Sequence, residues 1–257
     1  MSVFSEILDN NSEFLSAIES IESGKCPIHI TGMTGSQKSH FIYSVCSKLN
    51  KKCLVITTDE AEAGRIRDDL SFLFCCETVL FKNKEYVFYD IDASNHSAEI
   101  SRLNALSKIS CGYNVVTTVD AISKFTIPPR LFDEYTIKIK VGDVLDINDM
   151  AVRLVSMGYK KCSMTEGIGQ FSIRGSIIDV YSPCHSNPIR IDLFDDEVDS
   201  LREFDYTTQI SVENIDSMSI CPVREIVYNN QKALEVASEI RKLKNENLLS
   251  DAEKLEN

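Results

Sequence analysis

The stretch Gly32 to Ser39 reads GMTGSQKS, and its residue types are those of a loop that could cradle phosphate. In the motif G-x-x-x-x-G-K-[ST], a glycine-rich turn between a strand and a helix aims successive backbone N–H groups at the phosphates. The lysine then reaches the outer phosphates and the hydroxyl holds magnesium. Gly32 stands at the first place, and Lys38 and Ser39 occupy the last two. The second motif glycine is replaced by Gln37, whose Cβ crowds the turn. Gly32 and Gly35 are therefore read as a tight strand-to-helix turn without nucleotide binding; a working loop that uses Lys38 and Ser39 is the competing reading. No apolar strand ends in an acidic pair suited to magnesium. Asp59 and Glu60, after CLVIT, have the pattern of a helix N-cap and its first turn.

A second set of residues suits binding rather than catalysis. Strand alternation along Gln170 to Arg174 puts Phe171 and Ile173 on one face and Gln170, Ser172 and Arg174 on the other. Along Arg190 to Phe194 the same rule groups Ile191 with Leu193, and Arg190 with Asp192 and Phe194. With the aliphatic side inward, Arg174, Arg190 and Phe194 point outward from one sheet, and arginine beside an aromatic is the composition of a protein-binding hot spot. The alternative is that Phe194 tucks under a loop and the arginines pair with Asp192, Asp195 or Asp196. If the outward reading holds, reversing the charge at Arg190 is expected to abolish partner binding and leave the fold intact.

Other chemistry is not indicated. The sequence holds no G-x-S-x-G elbow and no H-E-x-x-H, so no catalytic residue is assigned. Nine cysteines and four histidines are scattered without a C-x-x-C pair, which predicts reduced thiols in a cytoplasmic setting and no metal site. The net charge of −12 is spread along the chain and argues against a surface that tracks nucleic-acid phosphates. No apolar run is long enough for a membrane span.

The elements that must position these residues fall into two patterns. From Cys26 to about Thr118, apolar runs (CPIHIT, CLVIT, TVLF, NVVTTV) alternate with helical stretches over 37–50, 60–74 and 97–110. That rhythm predicts an α/β domain with a parallel sheet over residues 1–127. Pro128 and Pro129 break it. A helix over 146–157 and short alternating strands over about 160–205, punctuated by Gly167, Gly169, Gly175, Pro183 and Pro188, then predict an antiparallel meander. Residues 128–212 read as an inserted α+β module, and 213–257 as a return segment of the α/β domain. Helical spacing at Leu234, Ala237, Ile240 and Leu243 with no closing strand suggests the front part of a longer protein.

The stretch from Gly169 to Ser211, with RG-x-I-I-D, P-x-R-I-D-x-F-x-D-E and S-x-R-x-F-D in order, resembles the segment shared by the bacterial transcription-repair coupling factors (Mfd) and the excision-repair protein UvrB. The resemblance extends more weakly to the GMTGSQKS loop, to RLNAL (Arg102 to Leu106), to Gly158 and Tyr159, and to CPVRE (Cys221 to Glu225). UvrB keeps an intact phosphate loop and a long DNA-clamping hairpin, for which Phe81 to Arg102 is too short, so the coupling factors are the better match. The resemblance implies a degenerate P-loop domain of the RecA/helicase-like class carrying a UvrA-binding module, with Arg174, Arg190 and Phe194 as contact residues. It implies that RNA polymerase, duplex DNA, ATP and magnesium belong to domains absent from this chain, and that the UvrA surface is open without its masking domain. A UvrB-type nucleotide-dependent DNA-binding protein and a stand-alone P-loop NTPase are the alternatives.

Overall fold

The computed structural model describes residues 7–84, 96–225 and 237–242, and it divides between Thr126 and Ile127 into two units. In the first unit, α1 (Ser12–Glu22) and α2 (Gln37–Leu49) precede β1 (Leu54–Thr57), α3 (Glu60–Phe74), β2 (Thr78–Phe81), α4 (His96–Ser110), β3 (Asn114–Thr118) and the short α5 (Val119–Ile122). The three strands form a parallel sheet in the order β1-β3-β2. Parallel pairing requires a crossover, and helices supply it, so the alternating rhythm of the sequence is realised as an α/β layer. Ala63, Ile66 and Leu70 of α3 bury against Tyr43 and Val116, while Ala105 of α4 joins Val79, Phe81 and Val115.

Local chemistry sets the helix ends. Asp59 accepts the Glu62 N–H at 2.8 Å as the N-cap of α3. That backbone donor is the main reason its carboxyl is held below the usual range. Asn11 and Thr118 cap α1 and α5 in the same way.

Three expectations need correction. CPIHIT forms no strand among the described residues; Pro27 has no N–H to give a ladder, and Ile30 is exposed. In α4 the helical spacing of Ile100, Leu103, Leu106 and Ile109 predicts one buried face; Leu103 is buried and Leu106 packs against the core, but Ile109 lies exposed and Arg102 and Ala105 are buried in addition. Residues 213–220 do not return to the α/β unit, because their strands pair inside the second unit. The expected helix over 231–243 is described only at 237–242, which is helical. The short Phe81 to Arg102 connection lies largely outside the described residues.

The second unit starts with α6 (Pro129–Tyr135), β4 (Ile137–Lys140), α7 (Ile147–Ser156) and the two-residue β5 (Lys160–Lys161). Then come β6 (Gln170–Arg174), β7 (Ile177–Val180), β8 (Ile189–Phe194), β9 (Glu197–Phe204), β10 (Ser211–Ile215) and β11 (Ser217–Ile220). Strands β6 to β10 make the antiparallel meander, β5 adds a parallel edge, and β11 pairs with β4 in a separate ribbon. The first half of β9 has no β10 partner; the β4–α7 connection covers it instead, through Gly142 N–H to Val198 O at 2.9 Å, Val198 N–H to Asp143 O at 2.8 Å and Leu145 N–H to Asp196 O at 2.7 Å.

The core lies on one face of this sheet. Phe171, Ile178, Val180, Ile189 and Ile191 are fully buried with Leu154 and Met157 from the α7 region, and β4 and β11 close it with Ile139, Met218 and Ile220. Burying each such side chain contributes about 1.5–3 kcal/mol. A bulge in β9 keeps the pattern in phase: Leu193 faces Val198 and Ile191 faces Leu201, so Asp199 is the extra residue. Gly158, at φ +95°, follows α7, a left-handed conformation that favours glycine, and a Cβ there would press on the Arg224 and Val223 side chains.

The scattered-thiol expectation fails at one pair. Cys184 and Cys221, 37 residues apart, are joined by a disulfide. The Ser182 hydroxyl accepts the Cys221 N–H at 3.2 Å and Tyr159 donates its hydroxyl to Cys221 O at 2.7 Å, so the fold, and no sequence spacing, brings them together. Beside them, His185 Nε2 lies 3.0 Å from Ser219 O; a carbonyl only accepts, so Nε2 carries the proton. Burial pushes His185 below its ordinary pKa, and the unfolded chain therefore takes up a proton first as pH falls. Its contribution is present above about pH 6.5 and is lost as pH falls through the folded value. Thermal unfolding between about pH 7.5 and 5 should show stability declining with acid. The decline should be shallower in His185→Asn.

Candidate functional site

On the face of the meander opposite the core, strand register brings the predicted residues together. Asp179 of β7 sits directly across from Arg190 of β8, and Ser172 of β6 lies across from Asp179. Arg202 of β9 lies across from Arg190 on the other side. The next row holds Arg174, Ile177, Asp192 and Ser200, and Phe194 pairs with Glu197 at the hairpin end. Arg174, Arg190 and Phe194 thus share one face, as alternation predicted. Asp195, at φ +55°, and Asp196 make the turn between β8 and β9, the role expected of a paired-acid hairpin tip.

The three residues differ in accessibility. Phe194 is 75% exposed and does not tuck under a loop. The Arg174 side chain is 44% exposed, but that of Arg190 only 16%. Neither arginine pairs with Asp192, Asp195 or Asp196. Both bind Asp179, whose side chain is entirely out of water. Arg190 Nε donates to Asp179 Oδ1 at 2.7 Å and a terminal nitrogen donates to Oδ2 at 3.0 Å, while Arg174 donates to Oδ2 at 2.6 Å. The hydrogen bonds to Asp179 raise the Arg190 pKa further above its ordinary value, and its guanidinium lies 4.6 Å from the centre of the Phe204 ring.

Asp179 is dry because the surroundings cover it. Thr165 Oγ1 lies 3.3 Å from both Ser172 Oγ and the Asp179 carbonyl oxygen, and the Gln209 amide donates to Thr165 O at 3.4 Å and to Tyr206 O at 2.8 Å. One end of the outer face is therefore roofed by these loops. The other end carries Arg174, Phe194, Asp192 and Arg202. Arg202 donates to Asp192, which also accepts the Ser200 hydroxyl.

Sequence reading missed two participants, Asp179 and Arg202. Alternation within IIDV and SLREF could have placed each on the outer face, yet only the pairing register shows that they flank Arg190, and the β9 bulge hides the phase of Arg202.

In the first unit, the phosphate-loop residues are engaged within the protein. Gln37 Oε1 accepts the Thr34 N–H at 3.0 Å, Lys38 Nζ pairs with Glu62 at 2.7 Å, and the Ser39 side chain is buried. Gly32 and Gly35 have positive φ and make the turn. A cleft of about 780 Å³ opens beside this loop, lined by Asn11, Phe14, His29, Gly32, Gln37 and Phe41 among others. Among the described residues, no group of three or more His, Cys, Asp or Glu side chains is arranged to hold a metal ion. No helix among them is long and apolar enough to cross a membrane.

The comparisons fit this geometry. Residues 137–226, which contain the whole six-stranded sheet, match the family described as the UvrB interaction domain. Over 92% of its length the chain is 31% identical to the transcription-repair-coupling factor of Bacillus subtilis (strain 168), covering 21% of that protein. It is 30% identical to the factor of Staphylococcus haemolyticus over 93% of the chain and 20% of the relative. With that of Staphylococcus aureus (strain Mu50) it shares 27% identity over 85% of the chain and 19% of the relative. The chain spans about a fifth of the length of the curated relatives it matches, and the resemblance read from Gly169 to Ser211 is borne out.

The buried pair argues against the expectation that charge reversal at Arg190 spares the fold. Removing Arg190 leaves Asp179 with a lost bidentate partner, and breaking a buried ion pair from one side costs about 3–5 kcal/mol. Urea unfolding should place Arg190→Glu in that range, while Phe194→Ala, four residues away on the same strand, should stay within about 0.5 kcal/mol of wild type.

Proposed function

We propose that the chain is the N-terminal, UvrA-recruiting part of a transcription-repair coupling factor, acting in the cytoplasm. The outer face of the meander, with Arg174, Arg190 and Phe194, is its docking surface. The observation that carries this is the convergence of an exposed aromatic and two guanidinium groups on one sheet face inside the matched domain. In this reading the chain is an adaptor without catalytic residues. RNA polymerase, duplex DNA, and the ATP and magnesium of a motor are engaged by parts of the full-length protein beyond this chain.

The first unit is, on the same reading, a degenerate P-loop scaffold of the RecA/helicase-like class. Three contacts support this. The Gln37 side chain occupies the Thr34 N–H, which a phosphate would otherwise use, Lys38 is turned to Glu62, and Ser39 is packed inside.

Calorimetric titration with UvrA from the same organism tests the proposal. The wild-type chain should bind, Phe194→Ala and Arg174→Ala should each weaken binding about tenfold, and Lys38→Ala should bind as wild type does. No binding by the folded chain would overturn the adaptor reading. Tight ATP binding lost in Lys38→Ala would instead support a nucleotide-binding loop, and salt-sensitive binding to duplex DNA would favour a UvrB-type protein.

A further inference from the structure

Two like-charged guanidinium groups do not settle beside one another on a sheet without a reason, and the reason here is a single buried anion. Asp179 Oδ2 accepts from both Arg174 and Arg190, and Oδ1 takes a second bond from Arg190. Those bonds consume the Nε edge of Arg190, and the Phe204 ring covers one face of its plane. The other terminal N–H groups of Arg190 make no bond to Asp179 and are the ones available to a partner. Two positive charges against one negative leave the triad with a net charge of +1, which Asp192 in the next row partly offsets, in a chain whose net charge is −12.

We infer that Asp179 is the positioning residue of the docking surface: it pins Arg174 and Arg190 at a fixed spacing so that their outward N–H groups receive a carboxylate of the partner. This rests on the UvrA-docking reading above. Three features support it. The carboxylate is wholly buried, so no water competes for its bonds. Register places it directly opposite Arg190, so its position is set by backbone pairing rather than by a flexible stem. Guanidinium groups fixed in advance lose less rotamer freedom when a carboxylate arrives, which is where affinity is gained. Arg190, the least exposed of the three contact residues, then works chiefly as part of the clamp, while Arg174 and Phe194 present the open surface.

A double-mutant cycle on the full chain, read by calorimetric titration with UvrA, tests the inference. Asp179→Asn keeps the shape and removes the charge, and should weaken binding about tenfold. Because Arg174 is already released in that variant, adding Arg174→Ala should change affinity by less than about twofold. Equal losses from Arg174→Ala in both backgrounds would show that Asp179 is structural only, and would overturn the inference while leaving the docking reading intact. Failure of the wild-type chain to bind is the distinct outcome that removes the reading itself.

The carboxylate assignment has its own readout. Wild-type affinity should fall as salt rises, with a shallower slope in Arg174→Ala; an unchanged slope overturns it. Should Asp179→Asn not fold, nitrogen–proton NMR of the guanidinium groups in the free wild-type chain decides the point. Pinned side chains give separate, hindered N–H signals for Arg174 and Arg190, and averaged signals refute pinning.

Discussion

A carboxylate taken fully out of water must be answered by donors that stay in place, because an unpaired buried charge is far more costly than the pair is worth. Asp179 meets this condition through Arg190 across the β7–β8 ladder and Arg174 from β6. The consequence reaches through the whole meander. A slip of one residue between β7 and β8 would carry the carboxylate to the face lined by Ile178, Val180, Ile189 and Ile191. The hydrophobic pattern and the ion triad thus demand the same register, and the placement of Arg174, Arg190 and Phe194 on one face follows from it. Stability of the sheet and geometry of the surface are a single constraint.

The first unit solves a different problem with the same economy of parts. A phosphate-binding turn needs backbone N–H groups and a lysine left free to point at a ligand. Here Gln37 folds its side chain back onto Thr34 N–H, and Lys38 meets Glu62 in the first turn of α3. Both contacts are exposed and individually weak. Their significance lies in direction: each turns a group that the motif would aim at phosphate toward a neighbour within the unit. This supports a scaffold role for the unit, with binding assigned to the meander.

Much of this was readable from residue order alone. Helices over 37–49, 60–74, 96–110 and 147–156 follow apolar spacing and capping residues that are local properties. Side-chain alternation was enough to put Arg174, Arg190 and Phe194 on one face. What was not readable depends on pairing partners. No local rule names Asp179 as the partner of two arginines from different strands, and for Arg190 the aspartates at 192, 195 and 196 lie nearer in sequence. The β9 bulge removed Arg202 from any simple alternation. Cys184 and Cys221 meet only because β11 returns beside the loop after β7. The segment beyond Ser211 read as a departure from the module because β10 carries few apolar residues, whereas backbone pairing with β9 holds it in the sheet.

The same internal pairing argues about the kind of partner this face suits. A surface that tracks nucleic acid gains affinity by releasing counterions from phosphates, which calls for lysines and arginines free of anions. On this face Arg174 and Arg190 share Asp179, and Arg202 is held by Asp192. Glu197 stands beside Phe194. Their charges largely offset one another over the face as a whole, so long-range attraction to a polyanion is weak and recognition falls to short-range geometry. Fixed guanidinium edges and one open phenyl ring give high directional demand over a small area, which a folded protein surface can satisfy and a flexible polyanion cannot. That distinction favours a protein partner on this face, and it does so from the arrangement of charges rather than from their number.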